Sequence, residues 1–169
     1  SPIVNGKFML SGSVSKTKVG YLLINERLKD YIPILLDEGK YQMVVDGDVV
    51  ISITGTEEQD ILSKYIATRI EQAKLLEEFR QRPLDDRRND SIKRMYRERD
   101  AVIIPKMKEE QYKLLEEHPD CYATAIFFNL DLKEKGLKEL TFIYDKLTGR
   151  GKDNPYAKKI LQRIEKSKC

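Results

Sequence analysis

The chain has 169 residues, 40% hydrophobic and 35% charged, with a mean hydropathy of −0.54; it fits one domain or two small ones, and wholesale disorder is excluded. Its 31 Lys and Arg against 28 Asp and Glu leave a net charge of +3. These charges are interleaved rather than gathered, so the balance does not point to nucleic acid. No stretch approaches the ~20 apolar residues of a membrane helix, and no signal peptide is visible.

Residues 1–55 are short β-branched and apolar runs broken by glycine, and they predict five strands. Lys7 to Leu10 follows the turn pair Asn5-Gly6, a hairpin signal. Val19 to Ile24 is the second run and Tyr31 to Leu36 the third. Pro33 cannot donate to a ladder, which marks the third as an edge strand or a bulge. Tyr41 to Val45 and Val49 to Ile53 complete the set, with turns at Asp37-Glu38-Gly39 and Asp46-Gly47-Asp48. Short connections between short strands predict an antiparallel meander.

From Thr56 the period changes. Thr56 and Gln59 form a capping-box pair. Ile61, Leu62, Tyr65, Ile66, Ile70, Ala73, Leu76 and Phe79 then follow at threes and fours, one stripe on a long helix. Arg82 precedes Pro83, which closes it. The next stretch, Arg80 to Arg99, is the most basic window, interrupted by Asp85, Asp86, Asp90 and Glu98. A second helix spans about Asp90 to Glu117, with a kink or break expected near Ile104 because of Pro105. A third, capped by Asp120, runs from Cys121 to about Leu130. A fourth runs from about Leu132 to Leu147 and stops at Gly149. Asn154-Pro155 opens a fifth, since asparagine caps well and proline is tolerated at the first helical position. These three short helices should form a small bundle.

The segment EHPDCYATAIFF, Glu117 to Phe128, holds the only histidine, His118, and one of two cysteines, Cys121. A nucleophilic cysteine needs a base oriented by a third group, and a pair straddling Pro119 at a helix boundary does not offer it. A helix N-terminus could lower the Cys121 pKa, but a small capping or half-buried role is the expectation, with His118 an exposed turn residue. Cys121 and Cys169 leave a disulfide open without indicating one. With His118 they give three zinc-ligand candidates against the four that a structural site needs. Asp37, Glu38, Asp46 and Asp48 lack the loop spacing of a calcium site and read as turn residues. Thr148 to Lys152 (TGRGK) is too short for a phosphate loop and reads as a helix stop and basic turn. No catalytic, cofactor-binding or metal-binding residue is assigned, and no cofactor.

Five motifs in order carry a resemblance: VNGKFMLSG, YIPILLDEGKYQMVVDGD, ITGTEEQDIL, EEHPDCYATAIFF and GKDNPYAKKILQRIEK. Together they resemble the uncharacterised N-terminal domain, a domain of unknown function, of Bacteroidetes thioredoxin-like envelope proteins of the TlpA/ResA type. Two departures stand out. The chain starts too late to include the strands that precede VNGKF in that family, and for the thioredoxin domain two readings stand: the protein lacks it, or this chain stops just before it at Cys169. The chain starts without methionine and reads as a mature form or a fragment. The resemblance implies a location in the periplasm or cell envelope, lipoprotein character and a thioredoxin-like domain or other protein as partner.

The expected fold is α+β: an N-terminal antiparallel β-meander or sandwich-like sheet (1–55), then a long helix and a small C-terminal helical bundle (56–169) packed on it. The expected function is a non-catalytic envelope accessory domain that positions or assists a thioredoxin-like disulfide oxidoreductase or its protein substrate. The alternative is an independent peptide- or ligand-binding module using an exposed sheet edge. That edge would also permit a homodimer. Neither reading involves nucleic acid or a membrane span.

Overall fold

The computed structural model describes residues 9, 11–21, 33–46 and 49–167. The chain divides into two compact units, Ser1–Thr56 and Glu57–Cys169, and each is described by itself.

The first unit holds β1 (Lys18–Tyr21), β2 (Pro33–Leu36), β3 (Gln42–Asp46) and β4 (Val49–Thr54). β1 pairs antiparallel with β2, from Lys18 opposite Leu36 to Tyr21 opposite Pro33. β3 pairs antiparallel with β4, with an irregularity between Val44 and Val45. Among the described residues these are two separate two-stranded sheets, not the single meander or sandwich that the strand runs predict. One local feature that separates them lies at the β2–β3 connection. The Tyr41 hydroxyl donates to the Leu35 carbonyl at 2.8 Å and accepts the Asp37 N–H at 2.8 Å. A side chain thus takes a backbone acceptor that a β2–β3 ladder would use. Pro33, at the first residue of β2, has no N–H to offer a further strand. The run Lys7 to Leu10 falls outside the described residues except for Met9, which lies in no strand. Gly55 follows β4 at φ +153, and a Cβ there would collide with the backbone of Lys40 and Tyr41. Only glycine lets the two chain segments approach so closely.

The second unit is helical: α1 (Glu57–Arg80), α2 (Leu84–Arg88), α3 (Asp90–Glu117), α4 (Tyr122–Leu130), α5 (Leu137–Lys146), α6 (Gly149–Lys152) and α7 (Pro155–Lys166). The class is therefore mixed α and β, with helix dominating. α1 begins one residue after Thr56 and ends before Pro83, as its signals predict. Ile61, Leu62, Tyr65 and Ile66 of its stripe are buried, whereas Ile70 is 39% exposed. The lower half of α1 packs on α4 and the upper half reaches beyond it alongside α3. Tyr65 stacks on Phe127 at 4.5 Å and meets Phe128 edge-on at 5.7 Å.

α3 continues through Pro105 as one helix, so the break that was one form of the expectation near Ile104 does not occur. Proline removes the bond to the carbonyl four residues back. Both Pro105 and Ala101 are exposed, so water can satisfy that carbonyl and the rest of the helix holds. Asn89 caps α3 by accepting the Ser91 and Ile92 N–H groups at 2.9 and 3.4 Å.

α4 is the centre of this unit. Six consecutive residues, Ala123 to Phe128, are buried, as expected of a helix enclosed on all sides. α1, α6 and α7 pack against it, and α7 also packs on α5. α7 buries Ala157, Ile160 and Ile164. It starts as the sequence predicts: the Asn154 side chain accepts the Tyr156 and Ala157 N–H groups at 2.9 and 3.0 Å, with Pro155 at the first position. α5 starts at Leu137, after Gly136, rather than at Leu132. TGRGK does not remain a plain turn, since Gly149–Lys152 winds into α6.

Candidate functional site

The His118–Cys121 segment connects α3 to α4 and is built around a carboxylate from elsewhere. The first N–H groups of any helix lack partners within it. At α4 the capping residue is Cys121, whose side chain makes no capping bond. Asp120, the residue predicted to cap, is not the acceptor. Glu58, in the first turn of α1, accepts the Tyr122 N–H at 3.1 Å through Oε1 and the Ala123 N–H at 2.9 Å through Oε2. Its side chain is 8% exposed, and Arg150 from α6 pairs with Oε1 at 3.1 Å. A buried carboxylate is tolerated where charge-assisted bonds and a helix N-terminus meet it.

The surrounding groups are equally committed. The Thr124 hydroxyl donates to the His118 carbonyl at 2.8 Å, and the Cys121 N–H to the same carbonyl at 3.4 Å. The Tyr65 hydroxyl donates to Thr124 Oγ1 at 3.4 Å, and burial raises its pKa. The Thr148 N–H donates to the Pro119 carbonyl at 2.9 Å. Gly151 lies so close to Pro119 that a Cβ would collide with that carbonyl. α6 therefore clamps the connection between α3 and α4.

Cys121 is a free thiol, 7% exposed. Burial pushes its pKa up to about 12, with the Glu58, Asp120 and Glu57 carboxylates adding to the effect and Arg150 opposing it. The helix N-terminus does not activate it, because Glu58 has already occupied that positive end. At neutral pH the group is a protonated thiol, which is not a nucleophile. His118 is half-buried at the C-cap of α3, not an exposed turn residue, and it is its carbonyl that the segment uses. The segment is a joint between helices, held by the Glu58 carboxylate and its pair with Arg150.

Of the other candidates, Asp37 and Glu38 lie in the β2–β3 connection as expected, whereas Asp46 is the last residue of β3, paired with Val49, rather than a turn residue. Asp37 accepts the Glu38 N–H at 2.9 Å through its own side chain. Asp48 and Cys169 lie outside the described residues. Among the described residues no cluster of three or more His, Cys, Asp and Glu is arranged to hold a metal, and no helix is long and apolar enough to cross a membrane. A shallow groove of about 360 Å³ between α1 and α3 is lined by Lys64, Ala67, Thr68, Lys113, Leu114 and Glu117, with Glu110 beside them.

Glu58 is the residue that sequence reasoning missed. Its position in a helix's first turn accounts for it locally, through the favourable field there. Nothing in the sequence joins it to a helix that begins 64 residues later.

Among known proteins, a family model described as a domain of unknown function (DUF4369) matches residues 1–62. That span covers the β unit and the first six residues of α1. No curated protein and no solved structure matches the chain.

Proposed function

We propose that the chain is a non-catalytic accessory module of the cell envelope that positions or assists a thioredoxin-like disulfide oxidoreductase, or presents that enzyme's protein substrate. One observation carries the non-catalytic half: the groups with the most chemical promise are already spent on architecture. Glu58 caps α4, Arg150 neutralises Glu58, and the Cys121 thiol is buried and held protonated. The accessory half rests on the resemblance carried by the ordered motifs quoted above. On this reading the partner is a protein, and residues 1–56 and 57–169 supply surfaces rather than reagents.

The test is a disulfide-exchange assay with a scrambled-disulfide protein substrate. Added to a thioredoxin-like oxidoreductase from the same genome, the chain should change the rate or the substrate range. Alone it should turn over nothing, and the Cys121→Ser variant should match the wild type. Turnover by the chain alone, lost in Cys121→Ser, refutes the proposal. A second reading, an independent peptide-binding module, is favoured by the α1–α3 groove. It predicts binding of an extended peptide that Lys64→Glu weakens, with no effect on the exchange assay.

A further inference from the structure

We infer that the far end of the α1–α3 hairpin is a docking surface for an acidic, apolar protein segment. Residues 80–99 contain eight Lys and Arg against four Asp and Glu. Their net charge is +4, and Glu77, Glu78 and Asp100 at the same end are taken up by Arg80 and Arg99. Three of the four acids are matched locally: Asp86 by Arg82 at 3.5 Å, Asp90 by Lys93 at 3.0 Å and Glu98 by Arg94 at 3.9 Å. Arg87, Arg88 and Arg97 have no carboxylate within salt-bridge distance among the described residues. The guanidinium Nε of Arg87 is buried with no hydrogen-bond acceptor at all.

Apolar side chains stand among these cations. Leu84 is 60% exposed, Met95 52% and Val102 56%. Met95 and Val102, seven residues apart, share one side of α3. The bonds that α1 and α3 make to the residues of α4–α7 and their connections come from Glu58, Tyr65 and Arg69 and from Lys108, Tyr112 and Glu116, the other end of the hairpin.

The surface is also rigid. Tyr96 lies between the guanidinium groups of Arg82 and Arg99, 5.3 and 4.5 Å from its ring centre, and against Phe79 at 5.0 Å. Arg82 Nε donates to the Tyr96 hydroxyl at 2.8 Å. Arg99 reaches back to Glu78 at 2.6 Å and to the Leu75 carbonyl at 2.9 Å. A surface ordered before binding loses less entropy when it docks.

Charge complementarity selects an acidic partner, and the mixture of groups selects a protein. Three unmatched arginines are fewer than the roughly 6–10 phosphate contacts of strong nucleic-acid binding. Leu84, Met95 and Val102 stand singly rather than as the continuous apolar face that enters a bilayer. Arg and Met around a buried aromatic is the composition of protein interface cores. This surface is independent of the accessory reading and would exist whether or not an oxidoreductase is the partner.

The test is titration of the isotope-labelled full chain with a synthetic amphipathic peptide of Glu and Leu, monitored by amide chemical shifts. The same peptide with Lys in place of Glu, phosphatidylglycerol vesicles and duplex DNA are run in parallel. Shifts confined to residues 80–102 are expected with the acidic peptide only. The double variant Arg88→Glu with Arg97→Glu should weaken binding about tenfold or more, as should Met95→Ser with Val102→Ser, while far-UV circular dichroism shows both folded. No shifts, equal binding of the Lys peptide, or binding by vesicles or DNA with the acidic peptide inert overturns the assignment. So does a concentration-dependent shift of these amides without any probe, which would make the surface a self-contact.

Discussion

Replacing Glu58 with alanine should destabilise the helical unit from a position that looks, in sequence, like one more charge on a helix. The loss has three parts. Two backbone N–H groups, of Tyr122 and Ala123, lose their acceptor, and a missing helix cap costs about 0.5–2 kcal/mol. Loss of the negative charge at a partly buried helix N-terminus adds up to about 2 kcal/mol. The Arg150 pair contributes at most about 1 kcal/mol, because the arginine is 70% exposed. Together the expected destabilisation is about 2–4 kcal/mol, measured by urea unfolding followed by circular dichroism. Glu58→Gln keeps an acceptor but not the charge and should lose about half as much. Hydrogen exchange should localise the defect to the Tyr122 and Ala123 amides, and Ellman's reagent should reach Cys121 in Glu58→Ala but not in the wild type. If Glu58→Ala lies within about 0.5 kcal/mol of the wild type, the usual range for an unimportant surface change, the capping role of Glu58 is wrong.

Three further outcomes follow from the same geometry. Gly151→Ala forces a methyl group against the Pro119 carbonyl and should cost about 1–3 kcal/mol in urea unfolding; an unchanged midpoint would mean that α6 does not clamp the joint. Pro105→Ala should stabilise α3 by about 1–2 kcal/mol, less than the ~3 kcal/mol cost of a buried interior proline, because Ala101 and Pro105 face water; a lower melting temperature would contradict this. Stability should also fall between about pH 9 and about pH 12. Burial raises Cys121 to about 12, and burial with the Glu139 carboxylate raises Tyr112 to about 12. These groups ionise in the unfolded chain while the folded chain still holds their protons, so their contribution is complete below pH 9 and is lost as the pH rises. Cys121→Ser and Tyr112→Phe should each flatten the fall in urea midpoint across that window, and an identical slope in both variants would refute it.

Local signals in the sequence were sufficient for the long helices. The stripe from Ile61, the stop at Pro83, the Asn154-Pro155 start and the boundary near Pro119 all lie where the residues place them, because each depends on neighbours within one or two turns. Strand pairing was less legible. The runs at Val19, Tyr31, Tyr41 and Val49 form strands, but they pair as β1 with β2 and β3 with β4, and no run of β-formers reveals which strands pair. Asp120 looked like a cap because asparagine and aspartate usually cap from the adjacent position. The actual cap comes from Glu58, across the fold, and only tertiary packing brings it there. α2 and α6 are single turns, too short for periodicity to register. Cys121 was legible as a non-catalytic, half-buried residue, but not as one whose pKa burial and the Glu58 and Asp120 carboxylates push up.

The dependence of α4 on a residue of α1 ties together the two sides of the segment 82–89. Residues 57–81 bring the Glu58 carboxylate, the Tyr65 ring and Arg69, which meets Asp131 at 2.7 Å; the groups they grip, Arg150 among them, all lie in residues 118–150. A protease that nicks the chain at Asn89 would therefore release nothing. The two pieces would stay associated, and expressed separately they should recombine into the native helical assembly.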